Sequence, residues 1–195
     1  MSKPAIESPW ITGRFLVATP AMSDPRFARS VIFMCRHGPD GALGLIVNKS
    51  IDDLPMSEVL EQLEIVPPAA MRGRPVLFGG PVETQRGLVL HSSEYRREET
   101  MLVEEQYALT ASLEILKDIA DGTGPARNLL ALGHSGWGAG QLDHELQENA
   151  WFVIDDDDEL IFGDNLDDKW ARAIAKLGAK GGLDSAAFSH LTGRA

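Results

Sequence analysis

Residues 129–152 read LLALGHSGWGAGQLDHELQENAWF, and three patterns follow one another within them. Residues 129–132 form a short apolar run, as a buried strand does. Gly133, Gly136, Gly138 and Gly140 then interrupt it around Trp137. Glycines spaced so closely imply positive φ angles, or backbone lying close to something else. From Gln141 to Glu148 the pattern is helical, with Leu142 and Leu146 one turn apart on one face. Residues 151–154 are apolar again. The stretch therefore predicts strand, glycine turn, short helix, strand. A large ring among flexible glycines needs a specific destination: the core, where it anchors the turn, or the roof of a ligand pocket.

Strands and helices also alternate irregularly on either side. Residues 15–18, 30–36 and 42–48 read as strands, the last two joined at the turn signal Gly38-Pro39-Asp40-Gly41. Asp52-Asp53 is expected to cap a helix whose apolar face is Met56, Val59, Leu60 and Leu63, with Pro67-Pro68 ending it. Residues 76–78, 87–92, 100–103 and 107–110 suit further strands. A helix capped at Thr110 or Ser112 runs to about Ala120 and stops before Gly122. The acidic run 155–159 is expected to be an exposed hairpin tip, with 160–162 as the returning strand. Asn165 caps a helix burying Leu166, Trp170, Ile174 and Leu177, ended by Gly178. Residues 184–191 suit one last short helix. Hairpins are frequent and βαβ repeats absent, so the expected class is α+β: one compact domain over 10–178, a mixed, mostly antiparallel barrel-like sheet with helices packed outside, and a tail at 179–195.

The chain has 195 residues, 44% hydrophobic and 24% charged, enough for one substantial core. No apolar run approaches the roughly 20 residues that span a bilayer. The first ten residues lack the apolar region of a secretory signal, and Cys35 is the sole cysteine. These features predict a cytoplasmic protein with no membrane association. The net charge of −11 opposes binding to polyanions.

Three segments carry a family resemblance: GRFLVATPAMSDPRFARSVIFMCRHGPDGALGLIVNKS at 13–50, VLFGGPVETQRGLVLHS at 76–92, and GHSGWGAGQLDHELQENAW at 133–151. Together they closely resemble the AlgH/YqgE family, over about residues 10–177. The resemblance implies a bacterial protein with a mixed α+β fold, a compact barrel-like sheet and outer helices. It implies no established biochemical activity; the family label of transcriptional regulator comes from genetic effects on gene expression.

Catalytic motifs fail residue by residue. A nucleophile elbow needs glycine two residues either side of the serine, and Trp137 stands two after Ser135. The dinucleotide spacing G-x-G-x-x-G is absent after Gly140, although the helix start that follows still suits a small anion or polar ligand. His144-Glu145 begins a zinc motif that Glu148 breaks, and His91, His134 and His144 have no ligand spacing. The acidic run lacks the spaced ligands of a calcium loop. Cys35 is a redox candidate, because His37 is expected on its face of the strand. The best helix-turn-helix candidate, 166–177 followed by 184–191, has a six-residue joint and a second helix without Lys or Arg.

The sequence thus points to a regulatory or adaptor protein that binds an unidentified protein or small molecule, with any effect on transcription indirect and no direct nucleic-acid contact. No catalytic residue, cofactor or metal is expected. The candidate ligand-binding residues are Gly133, Ser135, Gly136, Trp137, Gly138, Gly140 and Gln141. The alternative is a small enzyme with a pocket at the Trp137 turn, using Ser135, His134 and Asp143.

Overall fold

The computed structural model describes residues 10–181. The apolar run after Ser30 becomes β2 (Val31–Gly38), buried on both faces. Val31, Phe33 and Cys35 enter one core cluster, and Ile32 and Met34 another. A strand so enclosed has no polar face, which is why its sequence does not alternate. β2 pairs antiparallel with β1 (Phe15–Ala18) and β3 (Gly41–Ile46), and β1 pairs with β10 (Trp151–Ile154). The second half of the sheet comprises β4 (Ser50–Pro55), β5 (Pro75–Phe78), β6 (Val82–Ser92), β7 (Met101–Val103) and β8 (Tyr107–Thr110).

β9 (Asn128–Trp137) joins the halves. Its first part lies between β6, antiparallel, and β5, parallel; its last residues pair with β3. The strand order β10-β1-β2-β3-β9-β6-β8-β7 describes one curled half-barrel sheet. The helices α1 (Met56–Gln62), α2 (Leu113–Asp121), α3 (Gln141–Gln147), α4 (Asp158–Phe162) and α5 (Leu166–Gly181) pack around it. The expected class, a single α+β domain with a mostly antiparallel barrel-like sheet, is the one observed. α5 covers one face with Trp170, Ala173 and Ile174, α3 and Trp137 cover another region, and α1 and α2 lie over Leu130 and Val89.

Four local expectations need correction. The glycine stretch is not a turn after Leu132: β9 runs through Gly133 and Gly136 to Trp137, and only 138–140 turn. Gly133, at φ 73, bends the strand between its two sets of partners. Gly80, at φ 151, lies so close that an added Cβ would sit 2.2 Å from the His134 carbonyl carbon. Gly80 and Gly133 thus serve backbone packed on backbone, whereas a Cβ at Gly136 or Gly138 would first meet side chains and one at Gly140 nothing within 4 Å.

Asp52-Asp53 belong to β4, and Pro55 is the residue preceding α1. The pairing of β4 with β5 extends the chain there. The acidic run is not a hairpin tip, and 160–162 are helical. Asp157 caps α4 by accepting the backbone N–H groups of Glu159 and Leu160. Arg14, Arg127 and Lys176 pair with Asp155, Asp158 and Asp157, which offsets the repulsion among the acids. Finally, α5 continues past Gly178 to Gly181. The expected helix 184–191 lies outside the described residues.

Candidate functional site

Trp137 ends β9 with its ring 7% exposed, among Leu16, Ile32, Met34, Ile46, Leu142 and Trp151. Its Nε1 donates to Glu145 Oε2 at 2.9 Å, and Trp151 Nε1 donates to the same oxygen at 2.8 Å. The two indoles meet edge to face, centroids 6.1 Å apart. Gln141 closes the arrangement: its Nε2 donates to Glu145 Oε1 at 3.0 Å, and its Oε1 accepts the Gly138 N–H at 3.0 Å. One carboxylate therefore receives two indoles and the amide one turn before it. From sequence, Glu145 enters only the broken zinc motif and not the Trp137 turn. The available signal was chemical: two Trp residues flanking one short helix each need an acceptor if buried.

The other candidates divide by face. Ser135 is fully buried and donates to the Gly79 carbonyl at 3.3 Å. His134 points to the opposite side of β9, its Nδ1 3.7 Å from Glu83 and without a hydrogen bond. Burial, outweighing Glu83, lowers its pKa. Asp143 lies 3.6 Å from His37 Nε2. Ser135, His134 and Asp143 thus engage three different partners and form no relay. Gly136, Gly138, Gly140 and Gln141 are exposed, and Gly140 precedes α3 in a left-handed conformation.

Cys35 is a free, buried thiol whose pKa burial pushes up to about 12, so at neutral pH the sulfur keeps its proton. His37 does not share its face. A bulge between Met34 and Arg36 reverses the alternation, and His37 turns toward Asp143 and Trp10. His91 is bound to Thr110 and the Ser92 carbonyl, and His144 is exposed beside Glu148. Among the described residues no group of three His, Cys, Asp or Glu side chains is placed to hold a metal, and no helix is long and apolar enough to cross a membrane.

Open space lies elsewhere. A cleft of about 660 Å³ runs between α1 and α2. Leu130 and Leu132 of β9 form its floor with Gly87 of β6. Ile51, Leu54, Val59 and Leu63 make one wall, Leu113 and Leu116 the other. Gln62, Thr84, Gln85 and Arg86 ring the mouth. Leu63 and Leu113 stay 40% and 38% exposed at its edge. Ser112 also lines the cleft, and its Oγ is buried without a hydrogen-bond partner. A Cβ on Gly87 would meet the Leu130 and Leu132 side chains at 3.7 and 3.9 Å, ordinary contact distances. An apolar body with a few polar groups at one side is the usual make-up of a small-molecule site.

The profile of the AlgH-like family matches residues 15–181, the whole sheet and all five helices. The chain belongs to the AlgH-like family. Similar members include a UPF0301 protein of Ruegeria pomeroyi, 50% identical over 92% of this chain and 98% of its own length. Another, from Rhodopseudomonas palustris, is 43% identical over 96% of this chain and 89% of its own length. The solution structure of the AlgH protein from Pseudomonas aeruginosa superposes with a TM-score of 0.77 at 37% identity, covering 100% of this chain and 98% of that one. A Corynebacterium diphtheriae protein shares the fold, with a TM-score of 0.68 at 21% identity over 90% of each chain. AlgH-like proteins thus share this half-barrel, within which the cleft and the Trp137 corner are distinct places.

Proposed function

We propose that this AlgH-like protein is a regulatory binding protein whose α1–α2 cleft takes a small amphipathic molecule, with the outcome passed to a protein partner. On this reading any effect on transcription is indirect. The net charge of −11 supports that part, since the field repels a phosphate backbone. The sole cysteine, unpaired and buried, supports action in the cytoplasm.

The observation that carries the reading is the cleft itself. Its volume of about 660 Å³ falls within the range of about 300–1,000 Å³ typical of ligand sites. Leucine side chains left half in water at its mouth gain free energy when a ligand covers them. Gly87 leaves the floor bare where any larger residue would fill it, and Ser112 offers an unused hydroxyl to a polar head. Substituting Gly87→Leu fills the floor without backbone strain. The test is a fluorescence titration with anilinonaphthalene sulfonate, an apolar ring system bearing one anionic group. Saturable binding to the native protein, lost in Gly87→Leu at an unchanged melting temperature, is expected. Binding that Gly87→Leu leaves intact would contradict the assignment.

A further inference from the structure

We propose that a second cavity, between β5, the start of β9 and the α4–α5 junction, binds a small oxyanion that carries a hydroxyl group. It measures about 330 Å³, and Arg74, Asn128, Asp164 and Lys169 line it beside apolar Leu129 and Phe162. It is separate from the α1–α2 cleft and independent of the reading given for that cleft.

Lys169 is 1% exposed. Its Nζ donates to the carbonyls of Val47 at 3.0 Å and Ile161 at 2.9 Å, which occupies two of its three protons. Burial lowers its pKa to about 8, so the group remains an ammonium at neutral pH. Arg74 gives one N–H to the Asn128 carbonyl and keeps further donors on its fork. Burial also lowers its pKa. Among the described residues neither cation forms an ion pair with a carboxylate. This is notable in a chain with 29 acids against 18 Lys and Arg. The exposed Asp164 acts on both only through space. Two partly desolvated cations sharing one cavity favour an anionic guest.

Asn128 adds the second requirement. Its Nδ2 donates to the Pro125 carbonyl at 3.3 Å, which fixes the amide orientation. Its Oδ1 is buried with no hydrogen-bond partner. That acceptor repels a bare anion and welcomes an O–H. Negative oxygens for Arg74 and Lys169 plus one hydroxyl for Asn128 describe hydrogenphosphate or a small hydroxycarboxylate.

The test is an amide NMR titration of the full chain with sodium phosphate, glycolate, acetate and chloride at matched ionic strength. Phosphate or glycolate is expected to give saturable shifts around Arg74, Asn128 and residues 163–169. Saturation by only one of them names the source. Acetate, without a hydroxyl, binds several-fold more weakly, and chloride gives no saturation. Arg74→Gln weakens binding about tenfold, as expected for a lost charge-assisted contact. Asp164→Asn, at an exposed site, removes the competing charge and tightens binding several-fold. The proposal is overturned if neither phosphate nor glycolate saturates, if acetate matches the one that does, if chloride reproduces the shifts, if the shifts lie elsewhere, or if Asp164→Asn fails to tighten binding.

Discussion

Gly80 and Gly87 flank the same exposed arm of β6, yet they meet opposite surroundings. At Gly80 an added methyl would lie 2.2–2.4 Å from the backbone of His134 and Ser135; at Gly87 it would touch only leucine side chains, at 3.7 Å or more. The first belongs to the corner where β9 bends and Trp137 goes down into the core. The second belongs to the floor of the α1–α2 cleft. The corner is full: a ring, a carboxylate and an amide satisfy one another, and backbone lies on backbone. The cleft is open, with apolar side chains and one hydroxyl still lacking partners. The glycine-rich stretch thus sits at a closely packed bend, while Gly87, a single plain glycine in a strand, borders open space.

If that contrast holds, substitutions in the two regions must differ in kind. Gly80→Ala forces backbone apart and is expected to cost on the order of 4–5 kcal/mol, the upper end for single changes. A denaturant melt reads this, and a loss below 1 kcal/mol would break the contrast. Trp137→Ala removes a buried ring and leaves a cavity, costing about 3–5 kcal/mol in the same melt. An unchanged midpoint would mean that the ring does not anchor the corner.

How much of this was legible beforehand depends on what each residue answers to. The hairpin at Gly38–Gly41 and the helix carrying Leu142 follow from local pattern, and both are present; for Trp137 the pattern left the core and a pocket roof open, and the ring lies in the core. The course of β9 through Gly133 was not legible, because the need for glycine there is set by the Gly80 and Val82 carbonyls, remote in sequence. The acidic run reads as a solvated tip until Arg14, Arg127 and Lys176 arrive from three other segments. The bulge that turns His37 away from Cys35 leaves no mark in the alternation of residues. Nor does the cleft: α1 and α2 each look like an ordinary amphipathic helix, and only their spacing over β9 leaves room between them.

Smaller effects sharpen the comparison. Glu145→Ala strips the acceptor from both indoles and should cost about 1–3 kcal/mol, with the intrinsic Trp emission shifting as their surroundings change. Ser135→Ala should cost less than about 1 kcal/mol, because the Gly79 carbonyl keeps the Ile46 N–H at 2.9 Å. A larger loss would give Ser135 a role beyond filling space. Gly87→Leu should change stability by no more than about 0.5 kcal/mol, since its Cβ meets only the Leu130 and Leu132 side chains, at 3.7 Å or more.

The most direct measurement is an amide and indole chemical-shift map of the protein titrated with decanoate, an apolar chain bearing one carboxylate. Saturable shifts centred on Gly87, Ser112, Leu113, Leu130 and Leu132, with the Trp137 and Trp151 indole signals unmoved, are the predicted result. Shifts centred instead on the Trp137 indole and residues 138–141, with the α1–α2 cleft silent, would contradict the account.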